Sequence, residues 1–231
     1  ASPDAPQIGS FLSVPLVVQQ ELIGVLNLSH PTNQAFTEES LRLLTLIAGQ
    51  AAAILQRIVM YEEMARLAIT DELTGLYNRR HFMERMNHEV ARAKRHQQPF
   101  SILFFDLDHF KRINDTCGHP LGDRILADLG KLMRRWARGT DLLARYGGEE
   151  FVAFLPMTDS TQALIAAERI RSAVEEHSFP RRKRLTVSVG IATYPEDGDQ
   201  PADLLKKADL ALYQAKKLGR NRTMALSLGA A

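Results

Sequence analysis

The sequence predicts an α+β protein, with helices covering a mixed, mostly antiparallel sheet and one long helix preceding it. Three observations carry this. Ser101 to Leu107 is a continuous apolar run with the length of a buried strand. Apolar residues on either side of Arg145-Tyr146-Gly147-Gly148-Glu149-Glu150-Phe151 mark two strands joined by a tight Gly-Gly turn. Apolar residues spaced alternately three and four apart between Leu44 and Ala68 mark a long helix.

Taken in order, Phe11 to Val18 and Glu21 to Leu28 read as strands joined at Gln19-Gln20. Two strands alone rarely make a stable domain, so their partners are expected in a preceding portion or in another chain. Thr37 is a good N-cap, with Glu39 or Ser40 in the first turn of the long helix. Leu44, Ile47, Ala51, Ile54, Ile58, Tyr61, Ala65 and Ala68 lie in heptad register. A parallel seam between two chains is favoured over a helix packed on its own domain, because no other segment is available to cover it. The stretch DELTGLYNRR, residues 71–80, breaks the periodicity and predicts a boundary loop, then a helix over 79–97 capped at Asn78. Phe82, Met86, Val90 and Ala93 share one face of that helix, and Pro99 ends it.

The strand from Ser101 closes on Asp106-Leu107-Asp108, and its period of two puts both aspartates on one face. Lys111 to His119 is polar and predicts a loop. A helix over about 120–137 buries Leu121, Ile125, Leu129 and Leu132. After the hairpin come a helix over 160–177, a strand over Leu185–Thr193, a helix from Pro201 to Gly219 and an edge strand over Thr223–Leu226. The expected division is 1–36, 37–70 for the connecting helix, and 71–231 for the main domain.

Composition narrows the function. The chain has 231 residues, 45% hydrophobic and 24% charged, an ordinary globular balance that allows one large or two modest domains. A formal charge of +2 argues against broad binding to a nucleic acid polymer. The basic run Arg181-Arg182-Lys183-Arg184 reads as a solvated loop. One cysteine, Cys117, allows no intrachain disulfide and fits a reducing compartment. No apolar run reaches the roughly 20 residues of a membrane helix, and no secretory signal is expected at the start. The chain reads as cytoplasmic, although a fragment of a membrane-tethered protein would look the same.

The chemistry gathers at the hairpin. Adjacent carboxylates at Glu149 and Glu150 are costly unless a cation or proton is shared between them. Gly147 and Gly148 leave the backbone open to close approach by another molecule. If the neighbouring strands pair, Asp106 joins the glutamates at one sheet edge. Hard oxygen ligands from separate segments suit Mg²⁺ (with Mn²⁺ as an alternative) rather than zinc. Two such ions can clamp a phosphoryl transfer. Lys111 lies just beyond Asp106. Lys216 and Arg220, four apart at the end of the last helix, add charge for a triphosphate. Asp123 can accept from guanine's N1–H and N2–H₂, and Asn114 can bond its acceptors. Each residue also has a plain reading alone: a solvated acidic turn, surface lysines, an aspartate in a helix first turn.

Together these motifs resemble those of a GGDEF-domain diguanylate cyclase in the GGEEF spelling. DELTGLYNRR, FFDLDHFKRIND, GHPLGDRIL, RYGGEEF, SVGIA and ADLALYQAKKLGRNR occur in order, from about Asp71 to Leu226. The resemblance implies a palm-like fold similar to adenylyl cyclases and polymerases, and condensation of two GTP into cyclic di-GMP by a homodimer. It implies metal binding by Asp106, the Leu107 carbonyl, Glu149 and Glu150, with Glu149 a candidate proton acceptor. The division of labour between the two glutamates stays open. Lys111 would stabilise the transition state, Lys216 and Arg220 would contact phosphates, and Asn114 and Asp123 would read guanine. Arg138 and Asp141 match an RxxD product-inhibition site, and Arg169 matches a secondary contact to it from a neighbouring domain. Asp108 is left as a supporting group. The alternative is an idle cyclic di-GMP receptor. Upstream, SFLSVPLVVQQELIGVLNLSH and FTEESLRLLTLIAGQAAAIL resemble the C-terminal part of a GAF sensor domain, with the chain expected to begin inside it and its ligand pocket largely absent.

Overall fold

The computed structural model of the chain describes residues 8–226, apart from the side chains of Glu62, Ala65, Arg66 and Arg182. The seam position Ala65, Arg182 of the basic run, and residues 1–7 and 227–231 of the outer domains therefore lie outside the described residues. The chain divides into two compact units between Ala68 and Ile69.

In the first unit, β1 (Ser10–Val18) and β2 (Glu21–His30) form an antiparallel hairpin. Its turn residues Gln19 and Gln20 both have positive φ, at 47° and 72°, which matches the right-handed twist of the flanking strands. Helix α1 (Glu38–Ile69) starts as expected: the Thr37 hydroxyl accepts from the Ser40 amide, and the Ser40 hydroxyl accepts from the Thr37 amide. Leu44, Ala48 and Ala52 pack against Val14 and Leu16 of the hairpin. Among the seam positions, Leu44 is thus absorbed into this core. Ile47, Ile54, Ile58 and Tyr61 remain 58%, 56%, 49% and 76% exposed. The stretch Glu38–Tyr61, at a mean hydropathy of 1.6, is long and apolar enough to cross a membrane. It passes on average composition, because Arg42, Gln50, Gln56 and Arg57 fall within it and no uninterrupted apolar run of that length occurs. Length and apolarity alone do not distinguish a bilayer span from an unpartnered seam.

The second unit follows the order β3 (Tyr77–Asn78), α2 (Arg79–His96), β4 (Phe100–Leu107), α3 (Phe110–Cys117), α4 (His119–Trp136), β5 (Leu142–Arg145), β6 (Glu150–Pro156), α5 (Ser160–Glu176), β7 (Val187–Tyr194), α6 (Pro201–Lys217) and β8 (Thr223–Ala225). The sheet order is β3-β5-β6-β4-β7-β8. The inner pairs are antiparallel; β3 with β5 and β7 with β8 are parallel. Every residue of β4 is buried, as a central strand covered on both faces requires. One core packs α3, α4 and α5 against the sheet through Phe105, Ile125, Phe151 and Ile170. The other packs α2 and α6 through Phe82, Phe104, Phe154 and Leu212. Helix α2 has the expected cap, with the Asn78 side chain accepting from the His81 amide.

Three local expectations change. Residues 110–117 form α3 rather than a loop; its apolar signal is confined to Phe110, Ile113 and Cys117, too few to show a period. In α4, Met133 rather than Leu132 completes the fully buried row. Helix α6 ends at Lys217, and Gly219, Arg220 and Asn221 follow at φ 116°, 64° and 46°. Lys216 and Arg220 therefore do not share a helical face. The Arg220 amide instead closes the helix end by donating to Ala215 O at 3.0 Å.

Candidate active site

Strand pairing places the hairpin tip beside the end of β4. Asp106 is the cross-strand partner of Glu150, and the Leu107 amide reaches the Glu149 carbonyl at 3.4 Å. The tip closes through Tyr146 N–H donating to Glu150 O at 2.8 Å. Neither Gly147 nor Gly148 is among the glycines with positive φ, so the turn's backbone conformation does not require them. Their value is space. A Cβ on Gly147 would stand 2.6 Å from Glu150 Oε2, and one on Gly148 would project into open surroundings. Tyr146 is held between Phe104, edge to face at 4.9 Å, and the Arg79 guanidinium, 4.5 Å from its ring centre.

Asp106 is only 7% exposed, and its Oδ2 lies 2.7 Å from Lys216 Nζ. Burial, offset in part by Lys216 and reinforced by the charges of Glu149 and Glu150, raises its carboxyl from 3.8 to about 6. Lys216 thus meets a buried carboxylate that the charges of both tip glutamates also act on. Among the described residues, no group of three His, Cys, Asp or Glu side chains is gathered closely enough to hold a metal ion. The donor set still fits a hard cation: Asp106, the Leu107 carbonyl and the two glutamates offer oxygen only, with unbalanced negative charge.

Helix α3 carries Lys111, exposed, and Asn114, half-buried. Asn114 Oδ1 is buried and has no hydrogen-bond partner. It lies against Gly122, where an added Cβ would stand 2.0 Å away. Gly122 therefore admits the amide at the start of α4, one residue before the exposed Asp123. The buried Asn114 Oδ1 is left able to accept from water or from a bound group. Arg220 sits in the left-handed turn after α6, and Lys216 in that helix's last turn.

A second cluster lies away from the tip. Arg138, Asp141 and Arg169 line one cavity of about 50 Å³ with Trp136, Gln162 and Ile165. Asp141 Oδ2 accepts from the Arg138 amide at 2.8 Å, and Arg169 Nη2 donates to Trp136 O at 3.1 Å. Burial pushes the Asp141 carboxyl upward against the pull of both arginines. Arg169 lines this cavity beside Arg138 and Asp141. Arg138 and Asp141 also border a wider hollow of about 360 Å³ with Tyr77, Arg134 and Leu143.

Sequence reasoning did not find the Arg145–Asp71 pair, 3.1 Å apart, which braces the hairpin. Nor did it find the partners of Asp108. That carboxylate, 3% exposed, accepts from the Ser188 and Thr186 hydroxyls at 2.7 Å each and from the Asn221 amide at 3.0 Å. Only the carboxylate–hydroxyl composition hinted at the latter, since Thr186 and Ser188 alternate at the start of a strand.

Comparison with known proteins bears on both parts of the chain. Residues 68–222 match the family described as diguanylate cyclase, GGDEF domain, and residues 1–56 match the GAF domain family. The response regulator PleD of Caulobacter vibrioides is 44% identical over 160 residues, covering 67% of this chain and 35% of that protein. Diguanylate cyclase A of Treponema denticola is 34% identical over 218 residues, covering 90% of this chain and 57% of that one. The chain thus spans between about a third and just over half of these relatives. Among solved structures, the coiled coil and GGDEF domain of DgcB from Caulobacter crescentus, in complex with c-di-GMP, superposes with a TM-score of 0.70 at 32% identity, covering 79% of this chain and 98% of that one.

Proposed function

The chain belongs to the GGDEF diguanylate cyclase family, and from that premise we propose that it condenses two GTP into cyclic di-GMP with release of two pyrophosphates. The observation that carries the proposal is the register of Asp106 opposite Glu150, with Lys216 on Asp106. It brings the tip carboxylates and the Lys216 ammonium to one end of the sheet.

In this reading Asn114 and Asp123 hold guanine, and Lys111, Lys216 and Arg220 hold the triphosphate. Asp106, the Leu107 carbonyl, Glu149 and Glu150 would hold Mg²⁺, or Mn²⁺ in its place. Bound there, the metal would neutralise charge developing on the phosphate oxygens. The 3′-oxygen of one GTP attacks the α-phosphorus of the other. The new O–P bond forms as the bond to pyrophosphate breaks, and the 3′-hydroxyl proton passes to a tip glutamate. The second bond forms the same way with the roles exchanged. One tip holds one nucleotide, so the reaction needs two chains face to face. The exposed seam of α1, residues 37–70, is the proposed means of pairing. Residues 1–36 would be part of a GAF sensor unit feeding the catalytic unit 71–231.

The cavity of Arg138, Asp141 and Arg169 supports product binding, with the guanidiniums on phosphate or the guanine Hoogsteen edge and the carboxylate on guanine's donors. A receptor without turnover would use the same cavity. The test is pyrophosphate release from GTP and Mg²⁺ by the purified chain and by Arg138→Ala. Turnover in both, with product inhibition lost in the variant, is expected. GTP binding without turnover in either would leave the receptor reading.

A further inference from the structure

We propose that Asp108 is a positioning residue: with Asn221 it holds the turn after α6 so that Lys216 and Arg220 face the substrate phosphates. The proposal rests on the cyclase reading above. It concerns how that site's cations are aimed.

Two aspartates at the end of β4 grip the same segment at two points. Asp106 Oδ2 meets Lys216 Nζ at 2.7 Å, and Asp108 Oδ2 accepts the Asn221 backbone N–H at 3.0 Å. Arg220 lies between these two anchors. Its own amide donates to Ala215 O at 3.0 Å, so both sides of its left-handed backbone are tied. Asp108 is itself fixed by Thr186, just before β7, and by Ser188 within it, and its amide donates to Thr186 O at 2.9 Å. The Asn221 side chain extends the brace to α5: Oδ1 accepts from Arg171 Nη1, and Nδ2 donates to Glu175 Oε1, both at 2.8 Å. Arg171 is locked in turn by Glu168 at 2.8 Å and Glu175 at 2.7 Å. Left-handed backbone at two successive non-glycine residues is costly, and it persists where the surroundings over-determine it. Here the surroundings are a buried carboxylate and an ion-paired helix face, and one of the two residues so held, Arg220, is the cation assigned to the phosphates.

The test combines amide hydrogen exchange across 216–224 with GTP steady-state kinetics, on the whole chain. In Asp108→Ala the turn amides should exchange about tenfold faster or more, and KM for GTP should rise by a similar factor with kcat less affected. Asp108→Asn should restore both: its amide oxygen can accept from Asn221 N–H while its NH₂ donates to the Ser188 hydroxyl, which can turn. A folded Asp108→Ala chain with wild-type turn protection and KM would overturn the proposal. So would an Asp108→Asn chain as impaired as the alanine variant, because the charge rather than the held turn would then matter. If Asp108→Ala does not fold, Asn221→Gly keeps the left-handed backbone but removes the ties to Arg171 and Glu175. It should move exchange and KM in the same direction, and no change in either refutes the brace. If the unaltered chain does not convert GTP, the cyclase reading fails. The exchange data still decide whether Asp108 holds the turn.

Discussion

Arg145 joins Asp71 to the hairpin tip. Its Nη1 stands 3.1 Å from Asp71 Oδ2, while its Nε and Nη2 donate to the Gly148 carbonyl at 3.0 and 2.8 Å. Asp71 also accepts from the Thr74 amide and hydroxyl, at 2.9 and 2.7 Å. Burial pulls the Asp71 carboxyl upward, but the Thr74 bonds and the Arg145 charge outweigh it and hold the group below its ordinary value. The loop that opens the second unit and the turn that carries Glu149 are therefore one hydrogen-bonded assembly.

Removing Arg145 tests this assembly. Arg145→Ala leaves Asp71 half-buried without its cation and the Gly148 carbonyl without its donors. Stability should fall by about 1–3 kcal/mol, seen in thermal unfolding. Turnover should fall by roughly 100-fold, because the tip is misplaced rather than chemically altered. Equal loss of stability with turnover intact would mean that the pair only braces the fold.

The Asp106 carboxyl gives a pH signature. Its folded value, about 6, lies above the ordinary 3.8, so the ionised form is disfavoured in the folded chain. The associated stability is fully present below about 4 and is lost as pH rises through 6. The rise corresponds to roughly 3 kcal/mol between the two limits. A divalent cation binds the ionised form and reverses the sign. Added Mg²⁺ should therefore raise the unfolding temperature more at pH 7.5 than at pH 5. In Asp106→Asn both the metal-free slope and the Mg²⁺ effect should largely vanish. A Mg²⁺ shift independent of pH across this window would place the cation elsewhere.

The guanine side of the site turns on Gly122. A methyl there would stand 2.0 Å from Asn114 Oδ1, so Gly122→Ala must expel the amide or shift α3 from α4. The expected result is a KM for GTP raised by about tenfold, equivalent to about 1.4 kcal/mol, with kcat nearly unchanged. Unchanged KM in a folded variant would remove Asn114 from the list of base contacts.

The extent to which the sequence disclosed this arrangement follows the range of each signal. The central strand, the hairpin and the caps at Thr37 and Asn78 are local patterns, and each forms as read. The convergence of Asp106 with the tip needed only the pairing of β4 with β6, which two apolar runs and a short turn suggested. Helix α3 was missed because its eight residues carry too few apolar positions to set a period. The end of α6 was misplaced because the Arg220 amide bonding back to Ala215 stops the helix before Gly219. Asp71 with Arg145 and Asp108 with Asn221 are separated by 74 and 113 residues, and no local spacing encodes such pairs. The same holds for Arg169, brought beside Arg138 and Asp141 by the packing of α5 near the end of α4.

The exposed seam on α1 yields the last prediction. Leu44 is committed to the core of the first unit, whereas Ile54 and Ile58, about half exposed, lie outside the described cores. Replacing both with Asp removes apolar surface and adds like charges at facing seam positions, which opposes pairing. The hairpin core of Val14, Leu16, Leu44, Ala48 and Ala52 is untouched, so the fold of the chain should survive. Sedimentation should show the unaltered chain as a dimer and the double variant as a monomer at equal concentration. Turnover per chain should then fall steeply on dilution for the variant, at concentrations where the unaltered chain is still saturated. A variant that remains dimeric would assign pairing to another surface. A monomeric variant with full turnover would contradict the need for two tips in one reaction.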